Sequence, residues 1–171
     1  MSALEPTRQN ASATDAVRAL HGSTDDWCLL ELGEQQTVFR RAAGQDRLAI
    51  GSHKTALAHF RHFPPTAVEM ELAIMTVEDA LASLRLPAGL TLYCGDALAW
   101  QIARLAGIDP ASGTTVSIAA VEQVFERVAM MALGHPALLE GLPEHREFAA
   151  GILILRELMH HMGFESLRLL S

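Results

Sequence analysis

The sequence predicts an α/β fold with a mixed sheet, because three short strands open the chain and further strands then alternate with helices. β-Forming residues mark five segments, at 27–32, 37–41, 47–50, 90–94 and 166–170. Turn-forming residues at 33–35 and 44–46 separate the first three segments, which indicates a β-meander. The fourth segment ends at Gly95 and is typical of a buried strand.

A long amphipathic helix is predicted over residues 66–84. Its apolar side chains recur at helical spacing, and the acidic side chains lie largely off that stripe. The stripe consists of Val68, Leu72, Met75, Ala80 and Leu84. This spacing predicts a helix of about five turns.

Three further helices are predicted, at 97–106, 119–133 and 144–162. Asp96 is placed to cap the first of them, and Gly107 is placed to end it. Gly163 gives the last helix its C-terminal stop. Residues 114–117 are predicted as a brief extended link.

The predicted order is β-β-β-α-β-α-β, with extra helices before the last strand. Since βαβ crossovers are right-handed and join parallel strands, this order builds a five-stranded mixed sheet covered by helices. Such a sheet is typical of a ribonuclease H-like (actin-like ATPase) domain. We expect a single domain of this type over residues 25–171. A flexible N-terminal arm is predicted over 1–24, with a short helical segment at 14–20.

Charge and composition exclude several classes of partner. The net charge of -7 would repel nucleic-acid phosphates and anionic lipid, so neither nucleic acid nor a membrane surface is expected as a partner. No apolar run reaches the roughly 18–20 residues of a membrane span. The two cysteines lack metal-ligand spacing, and the first residues lack a secretion signal, so we expect a cytoplasmic protein and no structural metal.

Three segments carry a resemblance to a known family. Residues 29–38 (LLELGEQQTV) match a VVDIGGGSTE-type hairpin with Glu31, Gly33 and Thr37 in register. The second segment runs from 48 through Gly51 into a basic helix start, and the third runs from 141 to 159. In this order they resemble the second, C-terminal actin-like domain of the exopolyphosphatase and guanosine pentaphosphate phosphatase family, Ppx/GppA.

This resemblance implies a set of phosphate-contacting positions. They are Gly33, Thr37, Gly51, His53, Lys54, Gly95, Arg146 and Gly151. Glu31 is the candidate catalytic carboxylate, because an acid at a strand end beside a loop is a common Mg²⁺ or water-orienting position. The alternatives are a solvated strand-end charge for Glu31 and a polar helix surface for the basic residues after Gly51.

The departures from the family pattern bear most on function. Consecutive glycines let backbone N–H groups converge on a phosphate, but Glu34 and Gln35 replace two of them here. A second phosphate loop, Gly-Thr in the family, is Gly95-Asp96 here, so a hydroxyl is replaced by a carboxylate. The family's first domain, which the resemblance implies to supply the catalytic glutamate, has no counterpart in this sequence.

The sequence therefore predicts a non-catalytic relative, a pseudoenzyme, that acts through self-association or through another protein. We expect a homodimer, or a partner that supplies the missing domain, and an exposed apolar patch beside the position of that domain. One alternative is a Mg²⁺-dependent phosphohydrolase completed by another chain. Another is a sensor that binds a phosphate-containing small molecule without hydrolysing it.

Overall fold

The computed structural model describes residues 7–136 and 141–171, with the side chains of the first helix described from residue 13 onward. Within these ranges helices and strands alternate after an initial helix and three-strand meander. The elements are α1 (Thr7–His21), β1 (Trp27–Leu32), β2 (Thr37–Arg41), β3 (Gly44–Leu48), α2 (Ser52–His59), α3 (Ala67–Leu81), β4 (Thr91–Cys94), α4 (Ala97–Leu105), β5 (Thr115–Ser117), α5 (Ile118–Ala132), α6 (Arg146–Met162) and β6 (Ser166–Leu169). No helix in the described ranges is long and apolar enough to cross a membrane.

The strands form one mixed sheet in the order β3-β2-β1-β4-β6-β5. β1, β4 and β6 are parallel, and the remaining pairs are antiparallel. Leu30 of β1 lies beside Cys94 of β4, so these two strands end close together. The β1–β2 hairpin loop and the β4–α4 turn therefore meet at one edge of the sheet, the edge where ligands bind in open α/β sheets.

The predicted fold class is confirmed, and two details of the sheet are corrected. The sheet of the described chain has six strands rather than five, because the predicted link at 114–117 forms β5. Val116 is buried opposite Leu167, and this burial stabilises the short strand at the sheet edge. The third strand covers Gly44–Leu48 instead of 47–50, because Gly44 pairs with Arg41 directly after a two-residue turn.

The helical segment predicted at 14–20, within the arm predicted over 1–24, is confirmed as part of a longer helix. Residues 7–21 form α1, which is longer than the predicted segment and packs on one face of the sheet. Val17 is fully buried in a small apolar cluster with Trp27 and Leu29 of β1 and Tyr93 of β4. His21 at the helix end forms a hydrogen bond with the Tyr93 hydroxyl at 3.2 Å. The first six residues of the predicted arm lie outside the described ranges.

The main core lies on the opposite face, around α6. This helix contacts α2, α3, α4 and α5, and eleven of its 17 residues are buried, so it is the centre of the helical layer. Gly151 in its middle lies against Leu98 of α4, where a Cβ would stand 2.8 Å from the nearer methyl carbon. The helix ends at Gly163 in the left-handed conformation, which confirms the predicted stop.

The rotation of α3 differs from the prediction. Its buried face carries Met70, Ala73, Val77 and Leu81, while the first three residues of the predicted stripe, Val68, Leu72 and Met75, are exposed. The cause lies at the helix start, where Thr66 and Glu69 form a capping box. The Glu69 carboxylate also accepts the backbone N–H of Arg61 at 3.0 Å, which turns it inward and sets the rotation of the helix.

Candidate functional site

A cleft of about 430 Å³ opens where β1 and β4 end. Its walls come from α1, the end of β1, the β4–α4 turn and the residues after β6. It is lined by Ala13, Leu29, Leu30, Glu31, Leu32, Gly33, Gly95, Asp96, Leu170 and Ser171. Of the predicted site residues, the fold thus brings Glu31, Gly33 and Gly95 to one cleft.

Asp96 contributes a hydrogen-bonded carboxylate to the lining of this cleft. Its backbone takes the N-cap position of α4, as predicted, but its side chain makes no capping hydrogen bond. The carboxylate instead accepts the backbone N–H of Leu32, at the end of β1, at 2.5 Å. It also accepts a longer contact from the Cys94 thiol at 3.6 Å. A negatively charged group of the protein therefore occupies a backbone donor at the mouth of the β1–β2 loop.

The pKa of Asp96 is raised above its ordinary value of 3.8. Burial is the main cause, since a low-dielectric environment disfavours the charged form, and the nearby Glu31 carboxylate adds to it. The hydrogen bond from Leu32 acts in the opposite direction without cancelling the shift. Two carboxylates thus face the same cleft, which makes it unfavourable for an anion.

Glu31 lies at the end of β1 and is held by the neighbouring strand. The Arg40 Nε donates to its carboxylate at 2.8 Å, and both side chains are partly exposed. Among the residues that the structure describes, no group of three or more His, Cys, Asp or Glu side chains could hold a metal ion. Glu31 and Asp96 already have protein partners, so this pair is not a ready-made Mg²⁺ site.

The β1–β2 loop lies against the start of α2. The N–H groups of Ser52 and Lys54, in the first turn of α2, donate to the carbonyls of Gly33 and Glu34 at 3.1 and 3.0 Å. The Gly33 N–H donates to Gln36 within the loop at 3.0 Å. These three N–H groups therefore have partners within the chain, and an anion would have to compete with those partners for them.

Gly51 and Thr37 hold the β1–β2 hairpin close to the start of α2. A Cβ on Gly51 would lie 2.5 Å from the Glu34 carbonyl, so only glycine allows the two segments to approach. The buried Thr37 hydroxyl donates to the Ile50 carbonyl at 2.8 Å, which ties the hairpin to the residue before Gly51. Neither residue lines the cleft.

His53 and Lys54 lie outside the cleft, on the first turn of α2. His53 contacts the Glu147 carboxylate of α6 at 3.3 Å. The pKa of Glu147 is lowered by a hydrogen bond from its own backbone N–H and by its contact with His53. The basic side chain of His53 therefore already has a carboxylate partner within the chain. A hollow of about 190 Å³ nearby is lined by Leu32, Ser52, Leu98, Gln101, His145, Glu147 and Phe148.

Arg146 and Gly151 have structural partners on α2 and α4. The Arg146 guanidinium donates to the Phe60 carbonyl at 2.8 Å, at the C-terminal end of α2. Gly151 provides the close approach between α6 and α4. The fold therefore separates these two residues from the cleft that holds Glu31, Gly33 and Gly95.

The exposed apolar patch predicted from the family resemblance is not at the cleft. Large apolar side chains that line it are buried, apart from the half-buried Leu32. In the described part of the chain the exposed large apolar side chains lie elsewhere: Leu20, Leu57, Phe63, Val68, Leu72, Met75 and Leu133. Sequence reasoning also missed the Leu32–Asp96 hydrogen bond, because residues 64 positions apart give no local signal of contact.

Comparison with known proteins identifies the fold of this chain. No protein-family model matches the sequence, and no curated protein matches it. The solved Ppx/GppA phosphatase of Aquifex aeolicus, in its type II variant, is similar with a TM-score of 0.78 over 97% of this chain, at 17% identity. This chain has the fold of the Ppx/GppA phosphatases.

Two further structures agree with this assignment. Another Aquifex aeolicus Ppx/GppA structure gives a TM-score of 0.75 at 17% identity, over 97% of this chain and 58% of that one. An exopolyphosphatase from Cytophaga hutchinsonii gives 0.58 at 12% identity, over 94% and 60%. The resemblance based on three sequence segments is thus confirmed for the fold. The chain spans about 60% of the length of the type II Ppx/GppA phosphatase.

Proposed function

We propose that this chain is a Ppx/GppA-fold module that does not hydrolyse phosphoanhydrides and acts by binding a second copy or another protein. The observation that carries the proposal is the hydrogen bond from the Leu32 N–H to the Asp96 carboxylate at 2.5 Å. A phosphate loop needs free backbone donors, and here a carboxylate of the protein takes one of them.

Three further N–H donors in and beside the loop support the same proposal. The N–H groups of Gly33, Ser52 and Lys54 all donate to carbonyls of the chain. An incoming phosphate would have to break these hydrogen bonds, each of which contributes about 0.5–1.5 kcal/mol. It would also meet the charges of Glu31 and Asp96 in the cleft.

The comparison with solved structures supports a module of this fold. The chain spans about 60% of the length of the Ppx/GppA phosphatase that it resembles in fold, and the proposal concerns the part of the fold that it covers. The two buried free thiols, Cys28 and Cys94, fit a reducing cytoplasm.

The direct test is phosphate release from polyphosphate and from guanosine pentaphosphate, with and without Mg²⁺. We expect no release above a protein-free control in either condition. Glu31→Gln is the site variant, and Glu126→Gln, an exposed carboxylate on α5, is the matched control. Turnover by the wild type that Glu31→Gln abolishes and Glu126→Gln leaves intact would overturn the proposal.

A second candidate function is favoured by the open volume of the cleft. About 430 Å³ at the ends of parallel strands is enough for a small ligand, so the chain could serve as a sensor of a phosphate-containing molecule. A ligand at 100 times its dissociation constant stabilises a protein by about 2.7 kcal/mol. Thermal unfolding with polyphosphate or nucleotides measures this, and a concentration-dependent rise in melting temperature without turnover would favour the sensor.

A further inference from the structure

α1 is held to the sheet by few side chains. Within the described residues, it is the one helix that joins the smaller apolar cluster, on the face of the sheet opposite the main core. Between residues 13 and 21 only Val17 is fully buried, and Ala13 and Ala16 are partly buried. A helix of about 12–15 residues is marginal in water by itself, so α1 depends on these contacts. Such a segment has a low free energy of local opening.

His21, the last residue of α1, attaches the helix end to the sheet. Its Nδ1 forms a hydrogen bond with the Tyr93 hydroxyl at 3.2 Å, and its Nε2 forms one with the Asp26 carboxylate at 2.9 Å. Asp26 is itself fixed, because its carbonyl accepts the N–H of Thr91 in β4 at 2.9 Å. The contacts of His21 with Tyr93 and Asp26, here named the His21 latch, therefore join α1 to residues outside the helix.

Trp27 packs in the same apolar cluster as Val17 and is 1% exposed. Its indole N–H is buried and has no hydrogen-bond partner in the described part of the chain. A buried donor without a partner disfavours the arrangement that buries it. Movement of α1 away from the cluster lets water reach this indole, which favours opening.

The segment between α1 and β1 has the properties of a hinge. Residues 22–26 are all exposed, and Gly22 has a φ of 93°, a conformation that glycine adopts without strain. Such short exposed segments absorb the backbone rotations of a moving element. α1 can therefore move relative to the sheet through changes in these five residues.

We propose that α1 is a releasable strap, which opens about residues 22–26 while the rest of the domain stays folded and which the His21 latch holds closed. The strap also bounds the candidate cleft, because Ala13 lines it. Leu29 and Leu170 belong both to the apolar cluster and to the cleft lining. Opening of α1 therefore joins the cleft to an apolar surface of the sheet. This inference goes beyond the proposed function and holds whether or not the chain has turnover.

The first test is thiol labelling under native conditions. Val17→Cys places a thiol beneath the strap, whereas the native Cys28 and Cys94 are fully buried in the main core on the other face of the sheet. We expect an aromatic disulfide reagent to label the introduced thiol about tenfold faster or more, because this thiol needs only the strap to open. Equal rates for all three thiols would show that α1 opens only with the whole domain and would overturn the proposal.

The second test is amide hydrogen exchange, which needs no change at Val17. His21→Ala should lower the protection of the α1 amides about tenfold, as expected for the loss of two hydrogen bonds, and should leave the α6 amides unchanged. His160→Ala is the matched control, because His160 also lies in the last turn of a helix and contacts a carboxylate, that of Glu122. It should leave the α1 amides unchanged. Equal losses in α1 and α6 on His21→Ala, or no loss in α1, would overturn the latch.

Discussion

Gly51 lies against Glu34 so closely that a Cβ would stand 2.5 Å from the Glu34 carbonyl carbon and oxygen. This contact joins the β1–β2 loop to the start of α2, where the Ser52 and Lys54 N–H groups donate to loop carbonyls. The glycine that the family resemblance assigned to phosphate contact is thus required for a contact within the chain.

Gly51→Ala tests this contact. The methyl group would meet backbone atoms that cannot move independently, so we expect a loss of about 2–3 kcal/mol in the free energy of unfolding, the upper range for overpacking. Gly151→Ala is the matched control, because its methyl group would meet only the flexible end of Leu98 and would favour the helix by up to about 1 kcal/mol. Urea unfolding followed by circular dichroism compares them, and equal losses would contradict the loop contact.

Glu69→Gln tests what sets the start and rotation of α3. Partial burial alone would raise the pKa of Glu69, but hydrogen bonds from Thr66, His62 and Arg61 outweigh it and lower the pKa to about 2. The two carboxylate oxygens accept these bonds separately, and glutamine offers one acceptor. We expect a loss of about 1–2 kcal/mol at neutral pH in urea unfolding.

The pH dependence of that loss follows from the sign of the shift. Because the folded pKa lies below the unfolded value of 4.5, the ionised carboxylate stabilises the fold above pH 4.5, and this contribution is lost as the pH falls toward 2. The difference between wild type and Glu69→Gln should shrink over that window. Glu126→Gln, on an exposed part of α5, is the matched control variant. A difference that stays constant with pH would refute the assignment.

Asp96→Asn probes the carboxylate in the cleft. The folded pKa of Asp96 is raised above the unfolded value of 3.8 by burial, so the folded state holds the proton more tightly than the unfolded state. Ionised Asp96 therefore opposes folding, and this cost disappears as the pH falls through the raised pKa. Asparagine keeps an acceptor for the Leu32 N–H without the charge. We expect Asp96→Asn to be more stable than the wild type at neutral pH in urea unfolding, with the difference shrinking toward pH 3.8. A variant less stable than the wild type at neutral pH would contradict this.

The sequence predicted the sheet better than it predicted the helix faces. The strands at 27–32 and 37–41 agree with β1 and β2, because alternation and turn residues are local signals. The rotation of α3 could not be read from periodicity, since apolar residues occur on both of its faces and the Glu69 contacts with Arg61 and Thr66 decide between them. The link at 114–117 became a strand only because β6 offered it an edge.

The sequence predicted only part of the candidate site, because some of its contacts join segments that are far apart in the sequence. The sequence identified Gly33 and Gly95 as loop positions and Asp96 as an added carboxylate, and all three line one cleft. It did not show that Asp96 reaches Leu32 across the ends of two parallel strands. Gly51, His53, Lys54, Arg146 and Gly151 contact the hairpin loop or neighbouring helices instead, which a comparison of motifs alone does not reveal.

The most direct test of the central claim is a titration of the backbone amide NMR signals with inorganic tripolyphosphate. Because the Asp96 carboxylate already accepts from the Leu32 N–H and the Gln36 carbonyl from the Gly33 N–H, the signals of these two amides should not shift in the wild type. Saturable shifts of these two amides, together with that of Gly95, would show that the main chain holds the anion and would contradict the account.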